Sequence, residues 1–259
     1  MNSVLFLGVG EIARAVQRAL PDARAFGTTR RAPDARFGVI TPLAAADNSA
    51  IRAAAEGANV VVSFPPDGRS DREFATLVAD AASITYLSST AVYPTNSGVV
   101  NESSPVAAQG ERAALRLGAE ETWRAAGASV VRLPAFYGAA CGLHVSIARG
   151  SFRMPGAGTN FVSRVHVDDA ARFVLAALTA APGSMLLAGD AEPAPIADVV
   201  RFVCGLFGLL PPTASEGSDV PLSLRGNRCV DNSSTRDRFD VQLTYPSYRE
   251  GYGAIHASM

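Results

Sequence analysis

Apolar and polar positions along this chain follow two alternating rhythms. Short runs, most of them rich in Val, Ile and Leu, at residues 4–7, 23–28, 39–40, 60–63, 84–88 and 130–133, have the length of strands. Between them lie segments with the 3.6-residue period of amphipathic helices, at 11–20, 48–56, 70–82 and 111–126. In the third of these, Phe74, Leu77, Val78 and Ala81 share one helical face. Pro21, Gly57 and Gly127 supply stop signals, and Asn48 is the expected N-cap of the second helix. Strand–helix alternation of this kind predicts an α/β fold with parallel strands and helices on both faces. Beyond about residue 139 the rhythm loosens. Helices are expected at 168–178, capped by Asp168, and at 196–207, with a short strand at 185–187 between them. The Pro/Ser-rich stretch 211–219 reads as a mobile loop. The pattern divides the chain into residues 1–140, the alternating sheet, and residues 141–259, a smaller lobe interleaved with the sheet edge.

Composition narrows the class. With 259 residues, 48% hydrophobic and 18% charged, the chain can bury a sizeable core. A formal net charge of −1 gives no electrostatic reason for nucleic acid or an anionic membrane as partner. No apolar run approaches the roughly 18 residues of a membrane span, and the opening residues lack the basic leader of a signal peptide. Three scattered cysteines fit a reducing cytoplasm and suggest neither a disulfide framework nor a zinc site. All 23 basic residues are arginine; the chain contains no lysine.

Candidate chemistry begins after the first strand. Gly8-Val9-Gly10-Glu11-Ile12-Ala13 stands where a strand turns into a helix. The first glycine permits the tight turn, the second lets a pyrophosphate approach the backbone, and Ala13 allows close helix–strand packing. Together these features predict a Rossmann-type doubly wound sheet binding a nicotinamide dinucleotide. The end of the second strand reads Gly27-Thr28-Thr29-Arg30-Arg31, without the acid that would accept the ribose hydroxyls of NAD. Two guanidinium groups can clamp a 2′-phosphate, so NADP (as NADPH) is the expected cofactor; the plainer alternative is a solvated basic turn. Ser63 and Phe64, ending the fourth strand, join the expected cofactor set. Ser88-Ser89-Thr90-Ala91-Val92-Tyr93 follows the fifth strand at the carboxyl edge, where hydroxyls either meet a substrate carbonyl or make an ordinary turn. Asp47, Asp67 and Asp71 read as solvated acids flanking helices, and Trp123 as a packing residue.

With Arg132-Leu133-Pro134-Ala135-Phe136-Tyr137-Gly138, Val165-His166-Val167-Asp168-Asp169 and the late Tyr245-Pro246-Ser247-Tyr248-Arg249-Glu250-Gly251, these motifs resemble the extended short-chain dehydrogenase/reductase superfamily, the NAD(P)-dependent epimerase/dehydratase group. The Gly-x-Gly-x-x-Ala spacing is similar to its atypical branch. The resemblance implies that Ser89 holds a substrate oxygen and that Pro134, Phe136 and Tyr137 line the nicotinamide side. It also implies a Tyr-x-x-x-Lys pair on the helix before Ala119-Glu120, where this chain carries Arg112 and Arg116. Arg116 can keep a positional role toward the cofactor, but arginine is a poor proton donor. Tyr93 is therefore the first candidate acid, its pKa depressed by a nearby cation, with Tyr137, His166 or water as alternatives. Thr90, Arg112, Arg164 and His166 are weaker substrate candidates, Arg164 favouring an anionic group. His166 with Asp168 and Asp169 is read as a cap and packing cluster, with no metal. The resemblance implies an NADP-dependent oxidoreductase acting on a carbonyl, hydroxyl or imine of a small molecule. The alternatives are an NADP(H) sensor or scaffold without turnover, and an epimerase with no net redox change. A homodimer through the 111–126 helix is consistent with the same resemblance.

Overall fold

The structure is a computed structural model describing residues 2–35, 37–215, 220 and 225–259. Its elements in chain order begin with β1 (Ser3–Leu7), α1 (Glu11–Ala19), β2 (Arg24–Thr29), β3 (Thr41–Ala44), α2 (Asn48–Ala55), β4 (Asn59–Val62), α3 (Arg69–Leu77) and β5 (Ser83–Ser89). After a 3-10 turn come β6 (Gly98–Val100), α4 (Glu111–Ala125), β7 (Ser129–Leu133), β8 (Ala135–Tyr137), α5 (Leu143–Ala148), β9 (Met154–Pro155), β10 (Phe161–Val162) and β11 (Arg164–His166). The chain ends with α6 (Val167–Thr179), β12 (Met185–Leu187), β13 (Ala194–Pro195), α7 (Ile196–Phe207), β14 (Ala214–Ser215), β15 (Arg228–Val230), α8 (Ser233–Phe239) and α9 (Tyr248–Ala257).

Seven parallel strands form the central sheet in the order β12-β7-β5-β4-β1-β2-β3. The order reverses between β1 and β4, the switch point where such sheets bind ligands outside their carboxyl ends. β1 is apolar from Val4 to Leu7 because both its faces are covered. Val4 and Phe6 pack with α1 and α6 on one side, whereas Leu5 and Leu7 meet α2, α3 and Trp123 of α4 on the other. Two late elements complete this body: α6 packs against α1, and β12 pairs with β7. A separate core of Tyr137, Leu143, Val199, Val203, Tyr248 and Tyr252 joins α5, α7 and α9. No helix among the described residues is long and apolar enough to cross a membrane.

Three local expectations need correction. The third strand lies at Thr41–Ala44, not at 39–40, which form a turn. It is an edge strand that tolerates Pro42 and is mostly exposed, so it lacks an apolar signature. Asp47, not Asn48, caps α2, its carboxylate accepting from the Ala50 amide at 3.0 Å. His166, not Asp168, caps α6, with Nδ1 accepting from the Asp168 amide at 3.2 Å. Of the expected 211–219 loop, residues 214–215 pair with β9 and 216–219 lie outside the described residues.

Candidate functional site

The glycine turn separates into two roles. Gly8 has φ +94°, and a Cβ there would stand 3.1 Å from the Phe64 amide nitrogen, so its lack of a side chain is required by the fold itself. Gly10 is extended (φ −119°, ψ −168°), and a Cβ there would meet nothing within 4 Å. Its bareness serves open space. No side chain caps α1, so the first amides of the helix face that space without a protein partner. Ser63 Oγ donates to the Gly8 carbonyl at 2.8 Å and Thr28 Oγ1 accepts from the Gly8 amide at 2.9 Å, fixing the turn from both neighbouring strands.

This opening is a cavity of about 220 Å³. It is lined by Gly10, Glu11, Ile12 and Ala13 at the helix start, by Ser63, Ser88 and Ser89 at strand ends, and by Arg116, Pro134 and Phe136. A second cavity of about 390 Å³ shares Ser89 and Arg116 with it and adds Thr95, Gln109, Arg112 and Arg228. Arg116 spans the junction, its Nη1 donating to Tyr86 Oη at 3.1 Å and to the Leu87 carbonyl at 3.0 Å. Ser89 Oγ accepts from the Ala91 amide at 3.1 Å, which leaves its own proton to donate. Ser88 has no such freedom: its hydroxyl is given to Glu120 Oε1. The first cavity has the bare helix start, hydroxyls and a cation that a dinucleotide pyrophosphate and ribose require.

Thr29, Arg30 and Arg31 stand at the carboxyl end of β2, beyond the cavity. Arg30 is two-thirds exposed, its Nη2 3.6 Å from Asp67 Oδ2. The acid missing from the local sequence thus arrives from the turn before α3. Asp67 caps that helix through the Ser70 amide at 2.6 Å, and these hydrogen bonds hold its carboxyl below the usual range despite some burial. Asp71, expected in solvent, is fully buried and accepts from Trp123 Nε1 at 2.9 Å and the Gly68 amide at 3.1 Å.

None of the six tyrosines lines either cavity. Tyr93, the expected acid, is 1% exposed and donates its hydroxyl to the Asn101 carbonyl at 2.8 Å. Burial raises its pKa despite the guanidinium of Arg132 at 3.1 Å, opposite to the expected depression. Arg132 is itself engaged by a buried bidentate pair with Glu120, at 3.1 and 2.8 Å, a network that sequence reasoning missed. Tyr137 lines neither cavity and stacks on Tyr252 with ring centroids 4.3 Å apart. Its phenol is driven far up by burial. His166 is buried beside Tyr245, and burial lowers its pKa. Arg164 is enclosed near Asp190 and lines neither cavity. Thr90 offers the site only its carbonyl, which accepts from Arg228 Nη1 at 2.6 Å. Gln109 and Arg228 carried no motif; only the closed fold brings them to Ser89.

No protein-family model matches the sequence, and no curated protein matches it significantly. Solved structures do. A functionally unknown conserved protein from Silicibacter pomeroyi is 29% identical over 100% of this chain and 99% of its own, with a TM-score of 0.84. The human epimerase family protein SDR39U1, solved with NADPH, is 15% identical with both chains covered at 100% and a TM-score of 0.77. The UDP-glucuronic acid 4-epimerase of Bacillus cereus, solved with UDP-glucuronic acid and NAD, is 14% identical over 99% of this chain and 98% of its own, at a TM-score of 0.79. The chain shares with these structures a Rossmann-type α/β fold with a parallel sheet, as the alternating pattern led one to expect.

Proposed function

We propose that the chain is an NADP-dependent oxidoreductase of the atypical extended short-chain dehydrogenase/reductase type, moving hydride to or from a carbonyl, hydroxyl or imine carbon of a small polar substrate. The observation that carries this reading is the uncapped helix start at Gly10, opening into a cavity that Ser89 and Arg116 also line. The solved structures of the same fold with NADPH or NAD support it, as do Arg30 and Arg31 at the end of β2. On this reading residues 1–140 hold the cofactor, and the 141–259 lobe contributes substrate contacts.

A bound nicotinamide dinucleotide supplies hydride chemistry; everything else falls to the chain. The amides at the start of α1 hold the pyrophosphate, Arg116 orients the ribose, and Ser89 donates to the substrate oxygen. With no tyrosine on either cavity, the proton comes from water. That same observation favours a second reading, an NADP(H)-binding sensor or scaffold without turnover. An epimerase that recycles its cofactor would escape an absorbance assay and calls for product analysis.

Two variants test the reading together. Gly10→Ala fits the backbone and meets no neighbour, so its stability should stay within about 0.5 kcal/mol of wild type while NADPH affinity collapses in calorimetry. Ser89→Ala should keep NADPH affinity and lose most turnover against a panel of ketones, imines and nucleotide-sugar ketones. Unchanged NADPH binding in Gly10→Ala would remove the cradle. An inactive wild type that still binds NADPH would select the sensor.

A further inference from the structure

Arg228 is a buried cation without an acid. It is 9% exposed, and its Nη1 donates to the Thr90 carbonyl at 2.6 Å and the Tyr93 carbonyl at 3.2 Å. Among the described residues no carboxylate lies within ion-pair distance of it. The contrast with Arg132, equally buried and doubly paired to Glu120, is direct. A buried charge lacking a counter-ion is costly, and burial accordingly pulls the Arg228 pKa down. The chain nonetheless holds this side chain firmly in place. The Asn227 amide donates to the Thr95 carbonyl at 2.7 Å, the Gly98 amide donates to the Asn227 carbonyl at 3.2 Å, and any Cβ at Gly226 would collide with the guanidinium.

The guanidinium borders the 390 Å³ cavity, within the range of small-molecule sites. Across that cavity stand Arg112, exposed and without an ion-pair partner among the described residues, and Arg116. Gln109 Oε1 is occupied by the Thr95 amide at 2.7 Å, so its NH₂ group remains a donor. Glu111, exposed, is the one acid on the lining.

We infer that this cavity seats a compact oxyanion, a carboxylate or phosphate group of the substrate, with Arg228 as its buried cation and Arg112 as its outer one. Resting on the oxidoreductase reading, the seat names the substrate class: an anionic group at Arg228 and the reacting carbon toward Ser89, which both cavities share. Arg112, standing where the resemblance calls for a proton-donating tyrosine, serves instead as an anion ligand.

The test is calorimetric titration of the full chain with inorganic phosphate, malonate and the neutral malonamide, each with and without NADPH. Phosphate or malonate should bind and malonamide should not. Arg112→Gln, an exposed change that leaves the fold alone, should weaken the anion by about tenfold. Arg228→Gln should abolish binding, and Glu111→Gln should tighten it by removing the one acid on the lining among the described residues. Anions that bind no better than malonamide, or an affinity unmoved by both Arg112→Gln and Glu111→Gln, would overturn the seat. Anion binding without NADPH binding sinks the cofactor reading and leaves the seat standing; NADPH binding without anion binding does the reverse.

Discussion

Arg30 and Glu120 show how differently one side chain can matter at the surface and in the core. Arg30 faces Asp67 at 3.6 Å, so part of the positive potential offered to a 2′-phosphate is already balanced. Calorimetry should find NADPH bound more tightly than NADH, with Arg30→Ala narrowing the gap and Asp67→Asn widening it. Equal affinities in the wild type would dismiss the guanidinium clamp. Glu120 lies in the core, and Glu120→Ala would strand Arg132 as an unpaired buried cation, a loss of about 3–5 kcal/mol in urea unfolding. Gly10, Ser89 and Arg116, singled out in the sequence, line one cavity in the structure, because strand ends and a helix start announce themselves through glycines and hydroxyls. Tyr93, Tyr137 and His166, also singled out, are buried and line neither cavity, because a motif states which residue is present and not which way it turns. Several matched motif residues are scaffolding. Asp169 accepts from the Thr244 and Tyr245 amides at 2.7 and 2.8 Å, and Gly251 leaves room for the Tyr137 ring.

Among elements, those buried on two faces were legible and those at an edge were not. β1, β4, β5 and β7 each carry a short apolar stretch because helices cover both sides, whereas exposed β3 carries no period to read. The caps of α2 and α6 each slipped from the expected residue to the one or two positions before it, since several neighbours could serve and backbone direction decides among them. Asp47 is the side chain that closes α2, so Asp47→Ala should lower stability by about 1 kcal/mol in chemical denaturation, while Asn48→Ala leaves it nearly unchanged. The pairing of β15 with β6 lies beyond any local signal: it joins segments some 130 residues apart, and it delivers Arg228 to Ser89.

For the molecule as a whole, the junction of sheet and lobe carries its own titration. Asp190, 1% exposed, has its carboxyl pushed up to about 8 by burial, against the opposing pull of Arg164 and the Glu192 amide. Glu192, Tyr137, Tyr248, Tyr252 and Asp169 are among the other ionisable groups around this pair. In the unfolded chain this group ionises near pH 4, while the folded protein keeps its proton up to about pH 8, so the native state binds the extra proton between those values. Stability must therefore fall as pH rises through that window, by up to about 1.4 kcal/mol per pH unit. Unfolding midpoints at pH 5 and pH 8 should drift apart in the wild type and converge in Asp190→Asn; equal drift in both would mean that Asp190 is ionised throughout. The late arrival of β12 beside β7, and of α6 over α1, has a consequence for synthesis. Until about residue 187 has left the ribosome, the sheet presents a raw border and a bare greasy flank, so the nascent first half is a sticky intermediate that only its own tail can make safe.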